Sequence, residues 1–179
     1  MSYSIRPATF DDIPALDGLI ARSARELSAG DYAPEQVEGA LRGAFGVDTQ
    51  LVRDATYFVV ESGGALVACG GWSYRRTLFG SDAGSRRDAS VLDPASDAAK
   101  IRAFFVDPPH ARKGIGTLLL EHCEAAARER GFCRMELMGT LPGAKFYAAR
   151  GYTPMGRVTH ELAPGLTIDF VPMTRRIAF

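Results

Sequence analysis

The sequence has little of what metal centres, disulfides and membrane spans require. Its 179 residues include only three cysteines and three histidines. The cysteines are odd in number and form no C-x-x-C pair, so a disulfide framework and a zinc site are both disfavoured. No apolar run approaches the roughly 18 residues of a membrane span, and the first dozen residues do not resemble a signal peptide. We therefore expect a cytoplasmic protein with no metal and no membrane partner.

An excess of charge of one sign is also missing. Lysine and arginine together number 21, aspartate and glutamate also number 21, and the formal net charge is zero. Nucleic-acid binding usually needs a basic face, so we expect no nucleic-acid partner. The length predicts one domain spanning residues 1–179, and a hydrophobic fraction of 46% is enough to form a core.

The two best-known phosphate-binding loops are missing as well. No segment supplies the G-x-x-x-x-G-K-[ST] of a P-loop, and Leu119 occupies the third glycine position of a dinucleotide fingerprint. What is present is a strand pattern, a turn with Gly114 and Gly116, and then a helix pattern. The start of a helix carries unpaired N–H groups and a partial positive charge, and Arg112 and Lys113 add two cations. This combination predicts an anion site, most plausibly for phosphate, although glycines that serve only tight packing would give the same pattern.

The glycine loop resembles motif A of the GNAT superfamily of acyl-CoA N-acyltransferases. That motif reads [QR]-x-x-G-x-[GA] and follows a strand that ends near V-x-P. The segment Val106–Pro108 matches the strand end, and Gly114 and Gly116 match the two small positions. Ala111 departs from the motif, since it stands where glutamine or arginine is expected. Arg112, the next residue, is the cation that we expect to replace it.

A second segment, LPGAKFYAARGY, resembles motif B of the same superfamily, N-x-x-A-x-x-[LF]-Y-x-x-x-G-[FY]. The matching residues are Phe146, Tyr147, Gly151 and Tyr152. Thr140 replaces the usual asparagine and keeps one hydroxyl, and Gly143 replaces the usual alanine. The two motifs occur in the family's order, with a helix and a strand between them, which makes the pair more specific than either alone. The wider pattern looks like a bacterial branch of the family.

The resemblance implies transfer of an acetyl group from acetyl-CoA to a primary amine by direct attack. In this family the pantetheine arm of CoA pairs with an open strand edge, and a backbone N–H near Phe105 would point at the thioester oxygen. Tyr147 would be the general acid for the departing thiolate. We expect cofactor contacts from ten residues: Phe104, Phe105, Val106, Arg112, Lys113, Gly114, Ile115, Gly116, Thr117 and Thr140.

The pattern of elements predicts a single-domain α/β fold of the GNAT type. We expect a mixed, mostly antiparallel sheet of about seven strands, helices on both faces and a splayed central strand pair. A helix is predicted from Pro34 to Phe45, a second short helix from Gly143 to Arg150, and closing strands near Thr153–Leu162 and Thr167–Arg175. The segment from Arg75 to Ala99 is too long for a simple connection, and a mobile loop and a substrate lid are equally compatible with it.

Several functional questions stay open at this stage. The runner-up function is a non-catalytic acyl-CoA-binding module, acting as a sensor or partner domain, and a structural protein that keeps the fold without CoA is a third. The acceptor can be a small amine or a peptide N-terminus. Glu61 and Glu136 are possible general bases, and neither is assigned. Cys123 lacks a partner at motif spacing, so a covalent route through it is disfavoured. A homodimer through the closing strands is possible, since edge strands invite pairing.

Overall fold

The structure is a computed structural model that describes residues 2–84 and 87–177. One mixed sheet forms its centre. The strands are β1 Ser4–Pro7, β2 Tyr57–Ser62, β3 Ala65–Ser73, β4 Ala99–Val106, β5 Arg134–Thr140, β6 Thr153–Pro154, β7 Val158–Ala163 and β8 Leu166–Arg176. The helices are α1 Ile13–Leu27, α2 Pro34–Ala40, α3 Thr49–Arg53, α4 Ile115–Glu129 and α5 Leu141–Ala148.

The sheet is mostly antiparallel, and this confirms the predicted fold class. The strand order is β1-β2-β3-β4-β5-β8-β6, with β7 also paired to β8. The central pair β4 and β5 is parallel, and its register covers Ala99 with Met135 and Lys100 with Glu136. Within the described strands no pairing continues beyond Lys100, so β4 and β5 diverge toward their carboxyl ends. This is the splayed pair that the family resemblance implied.

Apolar side chains build one core on each face of the sheet. The first core contains Ile115, Leu119 and Tyr147 from the side of α4 and α5. The second contains Leu16, Leu19 and Phe170 from the side of α1 and α2. Side chains alternate along β4, so Phe104 packs against the first core and Phe105 against the second. The gap between β4 and β5 therefore lies between two separately packed layers.

A bulge deforms β4 just where it leaves β5. The register with β3 shifts between Cys69 and Gly71, and Ala103 on β4 has a φ of 51°. A Cβ atom at Gly70 would come within 2.4 Å of the Phe104 ring, so only glycine fits opposite the bulge. The hydroxyl of Tyr57, a fully buried residue, donates to the Ala103 carbonyl at 2.9 Å. This bond satisfies the carbonyl that the bulge removes from the strand ladder.

Three predicted boundaries were wrong. The helix from Pro34 ends at Ala40, because the chain turns back at Phe45, whose N–H donates to the Ala40 carbonyl. The predicted strand from Thr153 is divided into β6 and β7, since Gly156 has a φ of +99° that regular strand geometry excludes. The helix α5 begins at Leu141, two residues early, because Thr140 caps it. The sheet thus has eight strands rather than about seven.

Candidate active site

A cavity of about 820 Å³ occupies the gap between β4 and β5. Its lining includes Tyr147 and Ile115 from the first core, and Phe45 and Phe170 from the second. The cavity therefore joins the two faces of the sheet. Nine of the ten residues expected to contact a cofactor line it: Phe104, Phe105, Val106, Arg112, Gly114, Ile115, Gly116, Thr117 and Thr140. The tenth, Lys113, is exposed and lies outside the lining.

The start of α4 forms one end of the cavity. Gly114 is the N-cap with a φ of 81°, a left-handed conformation that a glycine adopts without strain. The first intrahelical bond of α4 runs from the Leu118 N–H to the Gly114 carbonyl at 3.0 Å. The amides before Leu118 in the first turn therefore lack intrahelical acceptors. Because Gly114 and Gly116 have no side chains, an anion can approach these amides closely.

The sequence interpretation missed two cations of the cavity lining. Arg150 and Lys145, both contributed by the α5 region, line the cavity together with Arg112. The Arg150 Nε donates to the Thr117 hydroxyl at 2.8 Å, and its guanidinium lies 4.4 Å from the Phe146 ring centroid. The contact of Arg150 with α4 is a tertiary contact between residues 33 positions apart, so no local sequence pattern predicts it.

The open edge of β4 supplies backbone groups to the middle of the cavity. The Asp107 N–H donates to the Val67 carbonyl on β3 at 2.9 Å. Since N–H directions alternate along a strand, the N–H of Val106 points to the opposite edge, toward the gap, and so does that of Phe104. Phe105 itself is paired with Cys69 on β3. The N–H groups that face the gap near Phe105 are therefore those of its neighbours Phe104 and Val106.

Thr140 takes part in the local structure of the helix start. Its hydroxyl oxygen accepts a hydrogen bond from the Gly143 N–H at 3.0 Å, which makes it the N-cap of α5. A serine or threonine at this position satisfies an amide that would otherwise lack a partner. The residue lines the cavity while its hydroxyl is engaged in capping. Thr140 thus contributes to the cavity by fixing the start of the helix that carries Tyr147.

Tyr147 lies on the cavity wall at the level of the open strand edge. Its ring contacts Phe104 at a centroid distance of 6.3 Å, Phe146 at 5.0 Å and Tyr152 at 5.6 Å. The residue is 7% exposed, and this burial raises the pKa of its hydroxyl above the usual value. Within the described part of the chain the hydroxyl has no hydrogen-bond partner. The phenol is thus protonated at neutral pH and free to donate into the cavity.

Comparison with known proteins identifies the family. The sequence profile described as "Acetyltransferase (GNAT) family" matches residues 23–152, most of the chain. The chain belongs to the GNAT acetyltransferase family. This confirms the resemblance that motifs A and B indicated. No curated protein matches the sequence.

Solved GNAT structures share the whole architecture. A GCN5-related N-acetyltransferase from Rhodopseudomonas palustris matches with a TM-score of 0.72 and 19% identity, over 99% of this chain and 97% of that one. The PaiA N-acetyltransferase from Thermoplasma acidophilum, in complex with coenzyme A, matches at 0.66 and 16%, over 99% and 100%. The ribosomal-protein-S18-alanine N-acetyltransferase from Escherichia coli matches at 0.60 and 16%, over 99% and 96%. At these identities the likeness shows the fold alone.

The two carboxylates considered as general bases lie outside the GNAT cavity. Glu61 forms a salt bridge with Arg6 at 2.9 Å, and Glu136 forms one with Lys100. Neither belongs to the lining, in which Asp31 is the only carboxylate among the described residues. Cys123 is fully buried on α4, and burial raises the pKa of its thiol well above the usual value. A thiol in that state is a poor nucleophile.

The segment after β3 has defined contacts in this GNAT chain. A buried arginine on β4, Arg102, binds the Asp48 carboxylate at 3.0 Å and the carbonyls of Gly80 and Thr77 at 2.7 and 3.1 Å. Arg87 also pairs with Asp48. Ser85 and Arg86, which belong to the predicted segment, lie outside the described residues. The contacts of Arg102 hold residues 77–80 against the cavity, where Leu78, Phe79 and Gly80 contribute to its lining.

The described ranges contain neither a membrane-spanning helix nor a metal-binding cluster of side chains. No helix there has both the length and the apolar character needed to cross a membrane. Histidine, cysteine, aspartate and glutamate side chains form no group of three or more that could hold a metal ion, again among residues 2–84 and 87–177.

Proposed function

We propose that this chain is an N-acetyltransferase that transfers an acetyl group from acetyl-CoA to a primary amine by direct attack in a ternary complex. The observation that carries the proposal is the single cavity through the sheet. It joins the exposed amides of α4 on one face to an apolar space on the other, and Tyr147 lies on its wall. Both substrates can thus meet at the gap between β4 and β5.

The phosphate end of the cavity fits the charge of CoA. Arg112 precedes the first turn of α4, Arg150 bonds Thr117 within that turn, and Lys145 is a further cation of the cavity lining. The helix dipole at this turn also favours an anion. A helix start with free amides and arginine side chains is well suited to a pyrophosphate. The pantetheine arm would extend from there along the open edge of β4 as an added strand.

The reaction asks for two contributions from the protein, stabilisation of the oxyanion and a proton for the thiolate. The amine nitrogen attacks the thioester carbonyl carbon, so a C–N bond forms and the C–S bond breaks. The N–H groups of Phe104 and Val106 face the gap and would stabilise the developing oxyanion, an effect commonly worth about 3 kcal/mol. Tyr147 would donate its proton to the departing thiolate and regain one from water. The proton that the amine loses leaves through water, since Glu61 and Glu136 lie outside the cavity.

The raised pKa of Tyr147 is compatible with this role. A phenol has a usual pKa of about 10 and a thiol one of about 8.5, so proton donation in water is slightly unfavourable. Burial raises the pKa of both the phenol and the thiol, because it disfavours the negatively charged form of each. The same burial that keeps Tyr147 protonated therefore also makes the thiolate a stronger base.

The test is an assay of the purified chain with acetyl-CoA and a panel of primary amines. Release of free thiol and the mass of the acetylated amine are followed together. We expect thiol release that depends on the amine and matches the product formed. Tight acetyl-CoA binding without any acetylated product would favour the runner-up, a non-catalytic acyl-CoA-binding module. A cytoplasmic location and a homodimer through the closing strands from Thr153 onward remain predictions.

A further inference from the structure

The half of the cavity on the α1 and α2 face is lined by aromatic rings. We call this part, formed by Phe45, Phe79, Phe105 and Phe170, the phenyl box. Phe45 lies 5.9 Å from Phe105 and 6.2 Å from Phe170, and Phe79 lies 5.5 Å from Phe170, measured between ring centroids. Such tilted and edge-on arrangements leave ring faces available to a further aromatic group. The phenyl box is thus suited to an apolar body.

The charges around the phenyl box exclude a substrate carboxylate. Among the described residues, Arg102 is the one cation of the cavity lining on this side, and its side chain is 2% exposed. Its terminal nitrogens are engaged by Asp48, Gly80 and Thr77. A carboxylate entering this space would lose its hydration without gaining a free cation, which is unfavourable. An amino acid is therefore a poor acceptor.

One carboxylate at the rim favours a cation. Asp31, in the link between α1 and α2, is exposed and lines the cavity. It forms no salt bridge with any described residue. A primary amine arrives as an ammonium ion, and an unpaired carboxylate at the opening raises its local concentration. Asp31 therefore acts on approach, before the amine reaches the gap.

The segment after β3 closes the phenyl box on one side. Phe79 packs against His160 at 5.1 Å between ring centroids, as well as against Phe170. Ser81 then bonds the Gly43 carbonyl twice, through its N–H at 2.8 Å and its hydroxyl at 2.9 Å. With Thr77 held by Arg102 as well, this wall is fixed on both sides of Phe79. A box with a fixed wall on this side suits a compact molecule better than an extended peptide.

We propose that the acceptor is a small primary amine with an aromatic body and no carboxylate. Its ring occupies the phenyl box, its amine reaches the gap between β4 and β5, and Asp31 attracts it from solution. This inference rests on the proposed function, since it names the acceptor of that same site.

Binding to the protein saturated with CoA tests the inference without any turnover. Calorimetry would compare phenethylamine with phenylalanine, which adds only a carboxylate, and with ethylamine, which removes the ring. We expect phenethylamine to bind at least about tenfold more tightly than either. Phenylalanine amide, a mimic of a peptide N-terminus, should bind no better than phenethylamine. Equal affinities, a preference for the amide, or no binding of any amine would each overturn the inference.

Substitutions of Phe79 and Asp31 test whether these two residues contribute to amine binding as proposed. Phe79→Leu keeps an apolar side chain without the ring, and we expect it to weaken the binding of phenethylamine more than that of ethylamine.

Asp31→Asn should raise the KM for phenethylamine several-fold at low salt with little change in kcat, and added salt should remove the difference. Glu26→Gln, an exposed acid on α1 outside the lining, is the charge-matched control. An equal effect of Glu26→Gln and Asp31→Asn would count against a specific role for Asp31.

The same measurements separate this inference from the proposed function. Acetyl-CoA-dependent acetylation of every amine at similar efficiency would leave the enzyme intact and remove the aromatic acceptor. Selective binding of phenethylamine without any acetylated product would support the aromatic amine site and contradict the acetyltransferase function. In that case the phenyl box is an amine site, and the chemical step assigned to Tyr147 is wrong.

Discussion

At Tyr147 a single hydroxyl distinguishes a catalytic role from a packing role. The ring packs against Phe104, Phe146 and Tyr152, and the hydroxyl has no partner among the described residues. Tyr147→Phe removes only the proton donor. We expect kcat to fall by about 10² or more, with acetyl-CoA affinity and unfolding free energy nearly unchanged. Steady-state kinetics, acetyl-CoA titration and urea unfolding measure the three quantities. Equal turnover in the two proteins would remove the assignment.

Asp12 provides a second test at the residue scale. It accepts hydrogen bonds from Arg6 at 2.8 and 2.9 Å and from the Thr9 N–H at 2.7 Å. The Arg6 bond is the main reason that its pKa is lowered to about 2. Because the folded pKa lies below the usual value, the carboxylate stabilises the fold fully above about pH 4. That contribution is lost as pH falls through about 2.

We therefore expect the stability advantage of the native chain over Asp12→Asn to shrink between about pH 4 and pH 2. Urea unfolding of both proteins across that interval measures it. An advantage that stays constant with pH would show that the carboxylate's charge does not contribute through Arg6.

At the scale of elements, the ion pair of Asp48 and Arg102 ties β4 to the start of α3, and Arg102 also holds the segment after β3 through the Thr77 and Gly80 carbonyls. Both side chains are 2% exposed. Asp48→Ala would leave the arginine buried without its counter-charge, and we expect a loss of about 3 to 5 kcal/mol in unfolding free energy. Adding Arg102→Met to this change should recover part of the loss, because the unpaired charge is then gone. A urea-unfolding double-mutant cycle measures the coupling.

Strict additivity in that cycle would contradict the account. It would mean that Arg102 holds residues 77–80 through the backbone carbonyls alone. In that case the wall of the phenyl box would not depend on Asp48, and the loop would be fixed by other contacts.

The elements also show where sequence reasoning succeeds and where it stops. The pattern of elements and the glycine loop are local signals, and they predicted the fold and the helix start at the cavity. The helix α3, Thr49–Arg53, is too short to show a period, and it was missed. Arg150 and Arg102 reach the cavity through contacts between distant segments, so their sequence neighbourhoods carry no sign of that position. The divergence of β4 and β5 was available only through the family resemblance.

At the scale of the whole molecule, two cores on opposite faces leave a passage between them. The sheet is continuous from β1 to β4 and again from β5 to β6, but the central pair opens beyond Lys100. Arg112 and Arg150 line the cavity near the start of α4, and the phenyl box lies on the α1 face. Acetyl-CoA would thus bind on the α4 face and the acceptor amine on the α1 face. The open backbone edge of β4 lies where the two halves of the cavity meet.

The central claim is that acetyl-CoA binds at the start of α4, and a shift in melting temperature tests it most directly. At a hundredfold excess over its dissociation constant the ligand should stabilise the fold by about 2.7 kcal/mol. Gly114→Glu is the control, because it puts a negative side chain at the N-cap, where φ is 81°. We predict a clear shift in the native chain and none in the folded variant. The same shift in both proteins, or none in the native chain, would contradict the claim.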